Sequence, residues 1–436
     1  MNETHDPKRT SWVDSAQGHG DFPIQNLPFG IFRRLEKTGP PSVGIAIGDQ
    51  ILDLAGCAEI AGFTGLPAQA AQAGAAPSLN PLMALGPDHW SALRSQVSAL
   101  LASDSPAFRA NRRLGERILV PMAEAELLLP ALIGDYTDFY ASVHHATHVG
   151  SMFRPDNPLL PNYKWIPIGY HGRASSIVPS GTPVRRPRGQ IKPPTAAAPV
   201  FAPTQALDYE MEIGCFVGPG NQLGAPVPIE KAEDHLFGLC LVNDWSARDI
   251  QTWEYQPLGP FMAKNFATSV SPWVVTLDAL APYRVPAFQR AAGDPSPLPY
   301  LDSAANRKQG GVDVTVEVLL STARMRSEGL PPHRLSRGTM ADLYWTPAQM
   351  LAHHTSNGCN LRPGDLFASG TISGPGKDSR GCLLELTWRG AEPVTLPTGE
   401  TRKFLEDGDE VIMRGFCEGS GSRLGFGECR GVIIGS

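Results

Sequence analysis

The chain has 436 residues, with 37 lysines and arginines against 43 aspartates and glutamates, a formal net charge of −6. The like charges form no block, which argues against a nucleic-acid-binding stripe or a polybasic membrane patch, so we expect small molecules or another protein chain as partners. The N-terminal residues lack the apolar segment of a signal peptide, and no later apolar run is long enough to span a bilayer, so a cytoplasmic protein is expected.

Cysteine usage and chain length set two further expectations. The seven cysteines never fall in a C-x-x-C spacing, and an odd number in a long chain argues against a disulfide framework. They are expected to be buried thiols. A chain of this length exceeds one ordinary core and predicts one large and one smaller domain.

Turn residues are frequent, with 45 glycines and 41 prolines. Between them lie short segments rich in β-branched and apolar residues, a pattern that predicts sheets rather than alternating βαβ units. The predicted strands are Ser42–Ile47, Gln50–Leu54, Pro199–Phe201, Met211–Val217, Leu236–Val242, Val312–Leu320, Asp365–Ala368, Leu383–Trp388 and Glu410–Gly415.

Two helices carry clear start signals. Pro87 opens an amphipathic segment whose large apolar side chains recur at helical spacing. Thr346, followed by a proline, is typical of an N-cap, and Gly358 is typical of a helix end. Met350 on this second helix is therefore expected to face the core.

Residues 135–148, with the sequence DYTDFYASVHHATH, concentrate acids, tyrosines and histidines, and this density predicts an active site. His144 and His148 have the i, i+4 spacing of a zinc-binding helix. However, the residue after His144 is His145, where a zinc protease would have its general base glutamate, so zinc is only an alternative.

Two glutamates predict a site for a hard cation. On a strand, Glu210 and Glu212 point to the same face with Cα atoms about 6.6 Å apart, since the rise is about 3.3 Å per residue. Both can then reach one Mg²⁺ or Ca²⁺ ion, with Asp138 and Asp244 completing the protein ligands. The alternative is a pair of solvated glutamates on an edge strand.

Asp244 also has a structural interpretation, because it could cap a helix over Trp245–Tyr255. On that helix Arg248, Gln251 and Tyr255 recur at i, i+3 and i+7 and share one face. A polar face of this kind is often only solvated, but this one begins beside a candidate metal ligand.

Several common catalytic motifs are absent from the sequence. The glycine-rich segments 218–224 and 419–425 resemble dinucleotide-binding loops, but the third glycine is one residue too late and no strand-loop-helix pattern follows. There is no G-x-S-x-G nucleophile elbow and no P-loop. These segments are therefore interpreted as turns, and a serine hydrolase or an NTPase is not expected.

Four sequence segments closely resemble the fumarylacetoacetate hydrolase (fumarylacetoacetase) family: GDYTDFY at 134–140, GYHGRASS at 169–176, NDWSARDIQ at 243–251 and ASGTISG at 368–374. The likeness runs from DFPIQNLP at 21–28 to GFGEC at 425–429. It implies a mainly β (α+β) protein, with an SH3-like barrel in residues 1–128 and a catalytic β-sandwich roll in residues 129–436.

The resemblance implies hydrolysis of the carbon–carbon bond of 4-fumarylacetoacetate to fumarate and acetoacetate, in tyrosine and phenylalanine degradation. It also implies dependence on Mg²⁺ or Ca²⁺ and a homodimer. A related acylpyruvate or β-diketo acid hydrolase is the alternative activity. A binding protein that merely holds a metal is disfavoured, because it has no use for a paired histidine and glutamate.

The resemblance further implies a role for each site residue. The metal site would comprise Asp138, Glu210, Glu212 and Asp244, with Lys264 and Thr268 beside the ion. The catalytic residues would be His145 as general base, Glu385 as its orienting acid, and Arg248, Gln251 and Lys264 for developing charge. The substrate-binding residues would be Tyr140, Arg154, Tyr170, Gln251, Tyr255 and Thr371. Segment 289–311 matches nothing in the family pattern.

Overall fold

The computed structural model describes residues 1–36, 39–111, 113–419 and 421–436. Its N-terminal part contains an antiparallel sheet and six helices. The strands are β1 (Phe29–Arg34), β2 (Ser42–Ile47), β3 (Gln50–Asp53), β4 (Leu119–Pro121) and β5 (Ala125–Leu128). The helices are α1 (Leu54–Ala61), α2 (Gly65–Ala73), α3 (Asn80–Met83), α4 (Pro87–Leu101), α5 (Pro106–Ala110) and α6 (Leu114–Ile118).

The N-terminal strands pair in the order β4-β3-β2-β1-β5. The predicted strand Ser42–Ile47 is confirmed, and the next strand ends one residue earlier than predicted. The predicted helix at Pro87 is also confirmed, and its apolar face, including Trp90 and Leu93, is buried. Because six helices accompany five strands here, the protein is mixed α/β with several sheets.

The remainder of the chain contains 21 strands and six α-helices in its described residues. The strands are β6 (Tyr136–Phe139), β7 (Gly169–Gly172), β8 (Ile177–Pro179), β9 (Val184–Arg185), β10 (Arg188–Ile191), β11 (Val200–Pro203), β12 (Leu207–Asp208), β13 (Met211–Val217), β14 (Leu236–Asp244), β15 (Ser246–Ala247), β16 (Thr268–Val270), β17 (Val275–Thr276), β18 (Arg284–Val285), β19 (Gly311–Val312), β20 (Thr315–Ser321), β21 (His333–Thr339), β22 (Leu366–Ala368), β23 (Val394–Thr395), β24 (Thr401–Arg402), β25 (Glu410–Gly419) and β26 (Ser422–Ile434). The helices are α7 (Val143–Phe153), α8 (Arg248–Glu254), α9 (Ala304–Gln309), α10 (Ala323–Ser327), α11 (Pro347–Thr355) and α12 (Leu383–Leu386).

An eight-stranded sheet forms the centre of the molecule. Its strands follow the order β7-β6-β22-β13-β14-β16-β8, and β17 also pairs with β14. A five-stranded sheet in the order β21-β20-β25-β26-β9 accompanies it. Short 3₁₀ helices occur at Glu3–His5, Asp14–Ala16, Met122–Glu124, Ala174–Ser176, Ile229–His235, Ala281–Tyr283, Pro299–Leu301, Met340–Asp342 and Lys377–Ser379.

The central sheet is buried on both faces. Along β14, Leu239 and Leu241 belong to one apolar core, whereas Cys240 and Val242 belong to the other, as the period of two along a strand requires. The second core also contains Trp90 of α4, so the N-terminal helices cover that face. Polar residues on the central strands are consequently remote from water.

The prediction of a strand over Leu383–Trp388 is wrong. Residues Leu383–Leu386 form the short helix α12, and all four are buried. When every position is buried, periodicity cannot separate a strand from a helix. Trp388 and Arg389 then adopt positive φ angles of 47° and 58°, which end the segment.

The helix predicted over Trp245–Tyr255 begins only at Arg248. Ser246 and Ala247 form β15, which pairs with β12. The N-cap of α8 is Ala247. The capping role considered for Asp244 is therefore wrong, and its carboxylate lies elsewhere.

The predicted N-cap at Thr346 is confirmed. Its side chain accepts the Gln349 N–H while Gln349 bonds back to the cap, forming a capping box. Met350 is buried as expected. The helix ends at Thr355, three residues before Gly358. Within the described residues, no helix combines the length and apolar character needed to cross a membrane.

Gly370, just after β22, provides a test of how tightly this strand end is packed against β6. Its φ is +73°, and an added Cβ would lie 2.2 Å from the Phe139 carbonyl oxygen. Gly181 has φ +91° with no atom within 4 Å of such a Cβ. We expect Gly370→Ala to lower the free energy of unfolding by about 1–3 kcal/mol more than Gly181→Ala, since both substitutions bear the cost of positive φ but only one clashes. Urea denaturation of both variants measures this difference, and equal losses would contradict the packing.

Candidate active site

Four carboxylates meet at one end of the central sheet. Asp138 lies on β6, Glu212 on β13 and Asp244 at the end of β14, while Glu210 immediately precedes β13. The Asp244 N–H donates to the Glu210 carbonyl at 3.3 Å, which places these two residues opposite each other across the strand pair. One oxygen from each acid lies within 4.8 Å of the others, and all four residues are buried.

Lys264 and Arg248 compensate part of this negative charge. The Lys264 ammonium contacts Glu210 Oε2 and lies 2.8 Å from Asp244 Oδ2. Arg248 Nη1 lies 2.7 Å from Glu210 Oε1. Burial alone would raise the pKa of Glu210, but Lys264 and Arg248 hold that pKa well below its usual value.

The ammonium of Lys264 stays charged in this position. Burial would lower the pKa of Lys264, but Asp244 and Glu210 raise it above its usual value. A protonated amine has no lone pair to offer a metal. Lys264 therefore acts as a countercharge beside the cluster and not as a ligand.

Asp138 and Glu212 have no direct ion-pair partner in the described part of the chain, although the charge of Lys264 partly offsets theirs. Neither has a lysine or arginine contact among the described residues, and Asp138 Oδ1 and both Glu212 oxygens accept no hydrogen bond there. Burial, followed by the neighbouring carboxylates, raises the pKa of each well above its usual value. Unsatisfied buried carboxylate oxygens are costly. Their charge and their all-oxygen donor set fit a hard divalent cation.

Tyr170 and Thr268 reach the cluster through Asp244. The Tyr170 hydroxyl donates to Asp244 Oδ2 at 2.8 Å, and the Thr268 hydroxyl lies 3.4 Å from Asp244 Oδ1. Tyr170 also pairs with Asp138 in the β6–β7 register. Burial and the nearby Asp244 charge raise the pKa of Tyr170, so its hydroxyl remains a donor.

His145 and Glu385 form a buried dyad. Ser142 caps α7 by accepting the His145 N–H at 3.2 Å, which orients the first turn. His145 Nδ1 lies 2.6 Å from Glu385 Oε2. The Tyr140 ring packs edge-on against the imidazole with a centroid separation of 5.3 Å. With the Nδ1–H donated to the carboxylate, Nε2 is the nitrogen available to accept a proton.

Glu385 is held by more partners than the sequence indicated. Ser373 Oγ and Cys382 Sγ lie 2.8 and 3.1 Å from Oε2, and His148 Nδ1 lies 2.7 Å from Oε1. Burial would raise the pKa of Glu385, but His145, His148 and Cys382 hold that pKa well below its usual value. His148 could have been found from sequence, because i+3 from His145 shares a helix face. No local signal pointed to Ser373 or Cys382.

Arg248 connects the cluster to further polar residues. Its Nε donates to Asp208 Oδ2 at 2.9 Å and its Nη1 donates to Gln251 Oε1 at 3.2 Å. Its Nη2 is buried without a hydrogen-bond partner among the described residues. The structure thus places Gln251 beside Arg248, and it adds Asp208 as a second partner of Arg248, which sequence reasoning missed.

The remaining predicted site residues, Thr371, Arg154 and Tyr255, differ in their contacts with the rest of the site. Thr371 Oγ1 is buried and has no hydrogen-bond partner among the described residues. Arg154 follows α7 and donates to the Pro158 carbonyl at 3.3 Å. Half-buried Tyr255 follows α8, and no described side-chain contact joins it or Arg154 directly to the carboxylates.

The structure does not form the alternative zinc pair. His144 packs against Phe288 at a centroid separation of 6.2 Å, whereas His148 turns toward Glu385. No group of three metal-ligating side chains includes His144 among the described residues. The two histidines therefore contact different partners, and the structure gives no support to the zinc interpretation.

Comparison with known proteins gives consistent matches along nearly the whole chain. The profile for the fumarylacetoacetate (FAA) hydrolase C-terminal region matches residues 135–433, and that for the fumarylacetoacetase N-terminal region matches residues 25–130. Fumarylacetoacetase from Oryza sativa subsp. japonica is 48% identical, covering 97% of each chain. Fumarylacetoacetase from Bos taurus is 50% identical, covering 97% of this chain and 98% of its own.

A solved structure shares the fold at lower sequence similarity. Fumarylacetoacetate hydrolase from psychrophilic Exiguobacterium antarcticum superposes with a TM-score of 0.51 at 16% identity. The superposition covers 94% of this chain and 100% of that one. At this identity the likeness establishes the fold alone.

The raised pKa values of Asp138 and Glu212 predict that a divalent cation competes with protons. These carboxyls hold protons at higher pH than usual, so cation affinity should fall as pH falls, by about tenfold per pH unit for each proton displaced. Calorimetric titration of Mg²⁺ and of Ca²⁺ in buffers of different ionisation enthalpy measures the protons released. The Glu212→Gln variant has no carboxyl proton at that position, so it should release fewer protons when the cation binds. Affinity independent of pH, with no proton release, would contradict the assignment.

Proposed function

The chain belongs to the fumarylacetoacetate hydrolase family, and we propose that it hydrolyses the carbon–carbon bond of 4-fumarylacetoacetate to fumarate and acetoacetate. This activity would serve tyrosine and phenylalanine degradation. The supporting observation is a buried four-carboxylate cluster in which Glu210 interacts electrostatically with His145 of the His145–Glu385 dyad. The first group fits a cation and the second fits the activation of water.

The proposed ligands are Asp138, Glu210, Glu212 and Asp244, and the proposed ion is Mg²⁺ or Ca²⁺. Such an ion, when bound, supplies a Lewis acid that polarises the oxygens of a β-diketone. Within the protein, Lys264 and Arg248 keep Glu210 ionised, and Tyr170 orients Asp244 by hydrogen bonding. Thr268 lies beside the same carboxylate.

Water is activated by His145. Glu385 holds the Nδ1–H, so Nε2 takes one proton from a water molecule as the water oxygen bonds to the carbonyl carbon on the fumaryl side. Glu385 stays ionised and stabilises the imidazolium that results. The Glu385 contact with His148 and Ser373 keeps the carboxylate in place during this transfer.

Cleavage then follows without any further reactant. The carbon–carbon bond breaks, its electron pair passes to the acetoacetate fragment, and the proton held by His145 returns to that fragment. The positively charged Arg248 and Lys264, with Gln251, face the negative charge that develops. Each preorganised donor of this kind contributes about 3–4 kcal/mol to the stabilisation of a transition state.

The substrate carries two carboxylates, and several donors are free to bind them. Arg154 Nε and Thr371 Oγ1 are buried and have no hydrogen-bond partner among the described residues. We assign substrate contacts to these two residues and to Tyr140, Tyr170, Tyr255 and Gln251. Charge-assisted bonds from arginine are the strongest of these interactions.

The finer architecture also belongs to this proposal. Residues 1–128 would form the SH3-like barrel around the sheet of β1 to β5, and residues 129–436 the catalytic β-roll. A cytoplasmic homodimer, acting on a small molecule without nucleic-acid or membrane partners, is the expected working form. The seven free cysteines support a reducing compartment. Sedimentation analysis would test the dimer.

A direct assay tests the activity. The purified protein should consume fumarylacetoacetate in a spectrophotometric assay, lose that activity with chelator, and regain it with Mg²⁺ or Ca²⁺. Parallel assays with acylpyruvates distinguish fumarylacetoacetate hydrolysis from the related acylpyruvate hydrolysis, since acylpyruvates share the diketone but lack the fumaryl group. Preference for an acylpyruvate would favour the alternative, and full activity after metal removal would contradict the metal assignment.

Replacement of the general base should separate catalysis from cation binding. His145→Ala should lower kcat by about 10²–10⁴, the usual contribution of a general base, with cation affinity unchanged. His144→Ala is the matched control, because His144 lies on the same helix but contacts Phe288 and not Glu385. Equal losses in the two variants would remove His145 from the mechanism.

A further inference from the structure

Asp208 is a buried carboxylate that the proposed mechanism does not use. It lies on β12, is 0% exposed, and is not among the candidate metal ligands. Its Oδ1 accepts the N–H of Leu383 at 2.8 Å, and its Oδ2 accepts the N–H of Leu384 at 3.0 Å. Oδ2 also accepts Arg248 Nε at 2.9 Å. A buried charge with this many specific partners calls for a functional explanation.

The two amides are the first of α12, the helix that carries Glu385. The first N–H groups of a helix have no partner within the helix and need an acceptor from elsewhere. The side chain of the N-cap residue, Cys382, caps none of these N–H groups. Asp208, on a strand distant in sequence, therefore accepts the N–H groups that an N-cap side chain normally accepts. In this way it fixes the N-terminal end of α12.

The same carboxylate holds Arg248, the first residue of α8. Arg248 reaches Glu210 with Nη1 at 2.7 Å, so its guanidinium lies between Asp208 and the carboxylate cluster. Charge-assisted hydrogen bonds of this kind are short and directional. One side chain thus connects the helix of Glu385 to the guanidinium that faces the cation site.

We propose that Asp208 is a positioning residue that keeps the His145–Glu385 dyad and Arg248 in register with each other. This role rests on the proposed function, because it concerns the geometry of the same reaction. Water activation and charge stabilisation must act on one substrate at once, and a shift of about 1 Å between them can cost about 10²-fold in rate. Asp208 acts through Glu385 and Arg248 and does not touch the substrate.

Asp208→Asn tests this role, and Asp409→Asn is its matched control. Asp409 is also buried, accepts Arg402 Nε at 2.8 Å and accepts the Glu406 N–H at 2.8 Å, but it contacts neither the dyad nor the carboxylate cluster. In both variants an amide replaces a carboxylate, so similar losses of stability are expected. Asp208→Asn should lower kcat by about 10²-fold with KM and cation affinity changed less than threefold, whereas Asp409→Asn should keep kcat within about twofold.

A double-mutant cycle separates positioning from general destabilisation. If Asp208 acts through Glu385, Glu385→Gln should lower kcat less in the Asp208→Asn background than in the natural chain, because the dyad is already misplaced. Additive effects, or equal kcat in the Asp208 and Asp409 variants, would overturn the proposal. If Asp208→Asn does not fold, Asp208→Glu takes its place. That variant keeps the charge and displaces the oxygens by one methylene, so the same loss of kcat is expected.

Two measurements distinguish a failure of this inference from a failure of the proposed function. Failure of the natural chain to hydrolyse fumarylacetoacetate would count against the proposed function alone. Hydrogen exchange of the segment containing α12 needs no substrate, and it should accelerate in Asp208→Asn but not in Asp409→Asn. Unchanged exchange in α12 would overturn the inference that Asp208 anchors this helix, whatever the substrate.

Discussion

Mutual repulsion among four buried carboxylates is the constraint on which the site depends. Glu210 and Asp244 oppose each other across neighbouring strands, an arrangement that is destabilising for like charges. Lys264 lies between them and contacts both. Asp138 and Glu212 receive no such cation among the described residues. The fold therefore neutralises half of the cluster itself and leaves the other half suited to a divalent ion.

The environment divides the acids of the site into two classes. Glu210 and Glu385 are surrounded by donors and cations that hold their pKa values low, whereas burial and neighbouring charge raise those of Asp138 and Glu212. Opposite pKa shifts among neighbouring carboxyl groups indicate that these groups have different chemical roles. Under the proposed function, the low-pKa pair stays anionic and orients the donors around it, and the high-pKa pair exchanges protons for a metal.

The N-terminal part contributes to this chemistry by covering the sheet. Phe29 of β1 bonds to Val274 in both directions, at 2.9 and 2.7 Å, and Trp90 packs edge-on against Phe237 of β14 at 5.1 Å. These contacts exclude water from the face on which Val242 and Val270 lie. Asp244 follows Val242 by two residues, so its side chain projects on that same face at the strand end. Low local dielectric strengthens every charge interaction there.

The sequence by itself determined the features that depend on local spacing. The strands predicted at Met211–Val217 and Leu236–Val242, the capping signal at Thr346 and the candidate ligands Glu210 and Glu212 were all readable, because each follows from neighbours within a few residues; the second strand runs on to Asp244. The resemblance to a known family added the pairing of His145 with Glu385. Only the tertiary structure decided that Leu383–Leu386 is a helix and that Asp208 anchors it, because burial on all sides removes periodicity and the two segments lie 175 residues apart in sequence.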